Sequence, residues 1–192
     1  MSASRVDVII IRGAPGVGKS QVAKVLAGRF PKGAKVEVDA LRKMVNSVRW
    51  TDQDEHIKLL GLAARVTSEF ARMGFRPVIV VDTFSGDKVN GFLHALKQHD
   101  AQFHVALFGL TAAAEILAQR LNGRPQDQFK DFEIARQLNV DVVKIRRPEE
   151  VQVDTSALSP EQTADRIINA LLGDLALTPG AVDEAGSSLG LL

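Results

Sequence analysis

Cysteine and tyrosine are both missing from this sequence of 192 residues, and tryptophan occurs once. Without cysteine there is no disulfide framework and no thiolate metal site, and an intracellular home fits. Without tyrosine, and with Trp50 as its single tryptophan, the chain offers no obvious stacking platform for single-stranded nucleic acid. An excess of either charge is lacking too: 24 basic residues stand against 23 acidic ones, for a net charge of +1. That balance excludes the basic footprint of a duplex-binding protein. No apolar run reaches membrane-spanning length. Met1 to Arg5 lead straight into an apolar run, with no secretory leader pattern. The expectation is a cytoplasmic protein, monomeric or a small homo-oligomer, with neither a membrane nor duplex nucleic acid as partner. At 45% hydrophobic residues the length suits one domain with a substantial core.

What is present begins at Gly13-Ala14-Pro15-Gly16-Val17-Gly18-Lys19-Ser20, a full match to the Walker A pattern G-x-x-x-x-G-K-[ST]. Before it lies Val6-Asp7-Val8-Ile9-Ile10-Ile11, the β-branched run of a strand buried on both faces. After it, from Gln21 to Ala27, apolar residues recur at helical spacing. Glycines allow positive φ and close approach, so successive N–H groups can point at phosphate oxygens. The helix N-terminus adds partial positive charge. Lys19 supplies a point charge for the β- and γ-phosphates, and the Ser20 hydroxyl is placed to ligate Mg²⁺. Residues 13–21, ending at Gln21, are therefore the expected ATP-binding segment.

Strand and helix signals alternate along the chain, which predicts an α/β fold with a mainly parallel sheet. Strands are expected at 6–11, 34–38, 77–82, 102–108 and 151–153. Helices are expected from Gln21, over 40–47, 52–73 and 89–99, from a Thr111 cap to Leu121, and through about Ile145. Gly74 reads as the C′ residue of the long helix. Ser159-Pro160-Glu161-Gln162 forms a capping box for a last helix ending at Leu172. Residues 1–172 are read as the domain, and 173–192, rich in Gly, Ala and Ser, as a mobile tail.

In an open parallel sheet, ligands gather at the C-terminal strand ends. Asp82 follows four apolar residues there, as a Walker B type carboxylate that would hold Mg²⁺ opposite Ser20; the alternative is a solvated strand-end turn residue. Thr83, rather than Glu, comes next, which leans away from hydrolytic motors and toward transfer onto a bound acceptor. Asp39 ends the second strand and could accept a proton from an acceptor hydroxyl, or simply cap the helix from Ala40. Arg42, three residues on, shares its face. Arg120 and Arg124 project together if their helix persists, and a guanidinium pair can clamp phosphate oxygens near the polar stretch 122–128, where a lid could form. Arg146 and Arg147 either line the nucleotide or favour a helix C-terminus. His56, His94, His99 and His104 lack ligand spacing and are expected to be surface or partly buried residues. Trp50 packs over the acceptor site, or in the core or its rim.

Taken in order, the Walker A loop, Val38-Asp39-x-x-Arg42, Val80-Val81-Asp82-Thr83-Phe84, Arg120-x-x-x-Arg124 and Val153-Asp154-Thr155-Ser156 resemble small P-loop kinases. The likeness covers about residues 5–172. It is greatest to single-domain AAA-domain kinases akin to zeta toxins, chloramphenicol phosphotransferase and the kinase domain of polynucleotide kinase. The resemblance implies a five-stranded parallel sheet in the order 2-3-1-4-5, with helices on both faces and a short lid. It further implies Mg-ATP as donor, an acceptor near Asp39, lid arginines at 120 and 124, and Asp154 and Thr155 close to the adenine. The catalytic set is then Lys19, Asp39, Arg42, Arg120 and Arg124, transferring the γ-phosphate to a hydroxyl of a small molecule, nucleotide or nucleic-acid 5′ end. A nucleotide-binding switch or ATPase module is the competing class. A GTPase switch would need Asn-Lys-x-Asp, which does not occur.

Overall fold

The computed structural model describes residues 6–46, 49, 51–126 and 128–177. Five strands form a parallel sheet in the order β2-β3-β1-β4-β5: β1 (Val8–Gly13), β2 (Ala34–Glu37), β3 (Val78–Val81), β4 (Val105–Thr111) and β5 (Val151–Asp154). The central strand is the apolar run before the glycine loop. Val8 stands between Val78 and Val105, and Ile11 between Val81 and Phe108, so both its edges and both its faces are occupied. Alternation sends Ile9, Ile11, Ile79 and Phe108 to one core and Val8, Ile10, Val80 and Leu107 to the other. Helices α1 (Lys19–Gly28) and α7 (Pro160–Leu177) cover the first face; α3 (Gln53–Arg72) and α4 (Lys88–His99) cover the second. The short α2 (Val38–Lys43) follows β2, and α5 (Ala114–Asn122) and α6 (Phe132–Lys144) follow β4.

The expected punctuation holds where it is local. Gly74 takes φ 83°, and the amides of Gly74 and Phe75 return to the carbonyls of Ala71 and Phe70 as a Schellman end. Ser159 Oγ accepts from the Gln162 amide at 3.2 Å while Gln162 Oε1 accepts from the Ser159 amide at 2.8 Å, closing the capping box.

Boundaries set by pairing differ. β2 stops at Glu37 because its partner β3 stops at Val81, so Val38 begins α2 and Asp39 lies inside the helix, not at its cap. Thr111 is the last residue of β4, held opposite Asp154, rather than a helix cap. The Asn139 side chain bonds both the amide and the carbonyl of Ala112, and Ser156 Oγ accepts from the Ala113 amide, so α5 starts only at Ala114. β4 also lies three residues further along than expected, drawn into register with β1. α7 continues to Leu177, so the first residues assigned to a tail are helical; 178–192 lie outside the described residues. So does Ser47, the expected end of the second helix, which stops at Lys43.

An ion pair is buried against the apolar sheet. Arg12, on β1, makes a bidentate pair with Glu150, at 2.7 Å from Nε and 2.8 Å from Nη2. The same guanidinium donates to the carbonyls of Val142 and Ile145, at 3.0 and 2.8 Å. It thereby satisfies the C-terminal carbonyls of α6 and pins that helix to the strand leading into the glycine loop.

Candidate nucleotide and acceptor site

Glycine torsions set the turn of the loop between β1 and α1. Gly13 adopts φ 153°, and a Cβ there would sit 2.5 Å from the Leu110 carbonyl oxygen. Gly18 is the N-cap of α1 at φ 97°, and no side chain caps the helix. The first-turn amides are thus directed out of the helix end with no side-chain oxygen to take them, which is the arrangement anions use. Lys19 lies across the loop, its Nζ 2.9 Å from the Ala14 carbonyl. Burial brings its pKa down to about 8, against the pull of Asp82 and Asp39 and with the nearby Arg124 adding to the decrease. An ammonium recessed without an ion pair is poised to gain from an anionic ligand.

Asp39, Asp82 and Arg124 therefore all lie within electrostatic reach of Lys19, although they come from α2, the end of β3 and the segment after α5. Asp39 is exposed and pairs with Arg42 one turn on. The expected shared face of these two residues is what the structure has, but Glu37 occupies the N-cap and caps nothing with its side chain. A capping role for Asp39 is thereby removed.

Asp82 is buried rather than solvated. Its Oδ2 accepts from the Phe84 amide at 2.9 Å and meets His56 Nε2 at 3.2 Å. Burial alone would raise its pKa. The His56 hydrogen bond and charge, the Phe84 amide and Lys19 outweigh that, holding the carboxyl below its ordinary range. Oδ1 makes no hydrogen bond among the described residues.

His56 lies deeper than the surface or partly buried placement expected of the four histidines. It is buried on α3, and its signal was in the sequence: it heads the apolar row His56, Leu59, Leu60, Ala63, Ala64, Thr67, Ser68 and Ala71. A histidine at the head of such a row faces the sheet, here at the strand end that carries Asp82. His94 bonds Gln98 at the surface, and His104 lies beside Asp7 at the opposite end of the sheet.

The arginine pair is divided. α5 ends at Asn122 with Gly123 as C-cap, so Arg124 leaves the helix that carries Arg120. Arg120 donates to Thr155 Oγ1 at 3.0 Å and to the Thr155 carbonyl at 2.8 Å. The Thr155 hydroxyl in turn lies 2.9 Å from the Val17 carbonyl, within the glycine loop. Arg120 is thus a brace between the loop and the β5–α7 turn. Arg124 instead donates to the Phe129 carbonyl at 3.1 Å, and burial lowers its pKa against the pull of Asp39. Arg147 lies beyond the end of α6 at Lys144 and pairs with Glu149 and with Asn90 of α4. Trp50 lies outside the described residues, as does Asp127 in the lid segment.

These residues fit ATP and Mg²⁺. The uncapped α1 terminus and Lys19 suit a polyphosphate. The Ser20 hydroxyl and the Asp82 carboxylate would supply few protein ligands, which suits a cation that keeps most of its waters and takes phosphate oxygens. Among the described residues there is no cluster of three or more His, Asp or Glu that could cage a metal by itself. None of their helices is long and apolar enough to cross a membrane.

Comparison with known proteins agrees with this geometry. Residues 8–166 match the AAA domain family, and the chain belongs to it. It is a small P-loop kinase-like protein. A Pyrococcus furiosus protein named "Putative adenylate kinase" is 28% identical over 181 residues, spanning 92% of this chain and 90% of its own. The tunicamycin resistance protein of Deinococcus radiodurans shares the fold with a TM-score of 0.65 at 24% identity, over 90% of this chain and 97% of that one. The APS kinase of Mycobacterium tuberculosis does so with a TM-score of 0.64 at 14% identity, over 88% and 99%.

Proposed function

We propose that the protein is an ATP-dependent phosphotransferase that moves the γ-phosphate to a hydroxyl of an acceptor bound beside Asp39. The observation that carries this is the convergence of Lys19, Asp39, Asp82 and Arg124 on one electrostatic neighbourhood at the strand ends. The glycine-loop amides and Lys19 bind and orient the polyphosphate. Asp39 receives the acceptor hydroxyl's proton as that oxygen bonds to the γ-phosphorus and the bond from phosphorus to the β,γ-bridging oxygen breaks, leaving ADP. Arg124 faces the charge that spreads over the transferring group. Mg²⁺, held by Ser20 and Asp82 when bound, supplies charge neutralisation at the β- and γ-oxygens. Thr83 after Asp82, in place of a water-orienting Glu, favours transfer over hydrolysis.

Asp39→Asn tests the assignment. It keeps the side chain's size while removing the base, and phosphoryl transfer is expected to fall by roughly 10²–10⁴. ATP affinity and melting temperature should stay put, because Asp39 caps no helix. Normal transfer in the variant would refute the catalytic role. ATP consumption that no hydroxyl compound accelerates would instead favour the ATPase class.

A further inference from the structure

Lys88 is a cation whose hydrogen-bond partners are neutral oxygens. It opens α4, and its partly buried Nζ donates to Gln53 Oε1 at 2.6 Å and to Ser85 Oγ at 2.9 Å, with no ion pair among the described residues. Bridging two neutral oxygens does not require a charge, and desolvating an ammonium there is a cost that neutral partners only partly offset. Burial does lower its pKa, opposed by the field of Asp82. Asp82 is itself committed to His56 and to the Phe84 amide.

The place of Lys88 is firmly set. Phe84 holds a left-handed backbone at φ 46°, unusual for an aromatic residue, with its ring fully buried 5.3 Å from that of Phe92. Such strain persists only where the surroundings over-determine it, and it clusters at ligand-binding segments. Gln53 and His56, three residues apart on α3, lie on one helix face, so a single turn touches both Lys88 and Asp82. The field of Asp82 reaches Lys19 on the nucleotide side and Lys88 at the start of α4.

We propose that Lys88 is the recognition group for an anionic acceptor, one whose carboxylate or phosphate takes the ammonium from Gln53 and Ser85 while its hydroxyl is presented to Asp39. This rests on the phosphotransferase reading and names its substrate class. The acceptor's anionic group stays unchanged in the reaction; only its hydroxyl gains the phosphoryl group.

The test uses acceptor pairs that differ in charge: gluconate with glucose, and glycerol 3-phosphate with glycerol. ADP release from Mg-ATP by the full chain is measured for each. Acceleration is expected from anionic members alone, with the first pair reporting a carboxylate and the second a phosphate. Lys88→Gln should raise KM for the accelerating acceptor about 10- to 100-fold, leave KM for ATP unchanged, and be largely rescued by Lys88→Arg. Neutral members that serve equally well, or an acceptor KM unmoved in Lys88→Gln, would overturn the proposal and leave the phosphotransferase intact.

If none of these compounds accelerates turnover, inorganic phosphate is titrated into protein already loaded with Mg²⁺ and a non-hydrolysable ATP analogue. Phosphate binding lost in Lys88→Gln, with an unchanged melting temperature, supports the anion site even if the phosphotransferase reading fails. Equal binding to both proteins overturns it.

Discussion

The nucleotide half of the candidate site and the acceptor half are built on different plans. The first is a single stretch, residues 13–21, whose shape is written in backbone torsions: Gly13 where a Cβ would strike Leu110, and Gly18 in a left-handed cap. The second draws Asp39 and Arg42 from α2, Gln53 and His56 from α3, Asp82 from the end of β3 and Lys88 from α4. Side-chain pairs hold it together: Asp39 with Arg42, His56 with Asp82, Gln53 with Lys88. A backbone cradle reads phosphate oxygens whatever they are attached to, so it suits a fixed donor. A surface assembled from exchangeable side chains can change its ligand without disturbing the sheet beneath it. The outward differences among kinases of this fold are then expected on the acceptor side.

Breaking the nucleotide half should have the largest effect. Lys19→Ala is expected to cut ATP turnover by at least about 10²–10³, since the polyphosphate loses its main side-chain charge. The purified variant should remain folded by circular dichroism. Turnover at the wild-type rate would dissolve the distinction between the halves.

The two arginines sharpen it. Arg124 lies within electrostatic reach of Lys19 and Asp39, so Arg124→Ala should lower kcat and kcat/KM together, by on the order of ten- to a thousandfold, with KM for ATP little changed. Arg120 braces Thr155 against the glycine loop, so Arg120→Ala should raise KM for ATP and lower the melting temperature, at a cost of about 1–3 kcal/mol for its part-buried bonds to the Thr155 hydroxyl and carbonyl. Steady-state kinetics and thermal melts of both variants decide the matter. The reverse pattern would make Arg120 the reacting-site arginine.

A small effect completes the comparison. In the metal- and nucleotide-free protein, burial puts the Lys19 pKa near 8, below its ordinary 10.5. The unfolded chain then binds more protons between those values, so this contribution to stability rises with pH from about 8 to 10.5. Lys19→Met should therefore melt at or above the wild type below pH 8, and the difference should shrink as the pH is raised. A variant less stable than wild type at neutral pH would mean that the lysine supports the empty loop.

Much of the nucleotide half was legible because its determinants are local. A glycine loop between a β-branched run and an amphipathic helix needs no distant contact to be recognised, and the capping box at Ser159 and the Gly74 helix end follow the same rule. The acceptor half was legible only in part. Asp39, Arg42 and Asp82 stand out as carboxylates and a guanidinium near strand ends, while the cap position that was the alternative for Asp39 belongs to Glu37. The partnership of His56 with Asp82 spans 26 positions, and that of Arg12 with Glu150 spans 138. No spacing rule connects such residues.

The sequence by itself determined the class of fold, the glycine loop and the kind of ligand that loop accepts, because hydrophobic period, positive-φ glycines and helix caps act over a few residues. Tertiary structure alone decided where strands and helices stop, since β2 ends with its partner and β4 runs on beside β5. It also separated Arg120 from Arg124, buried His56 against Asp82 and set Lys88 between the neutral oxygens of Gln53 and Ser85. Those outcomes depend on which elements meet at the sheet's C-terminal edge. Desolvation and hydrogen bonding act on groups only once packing has brought them together.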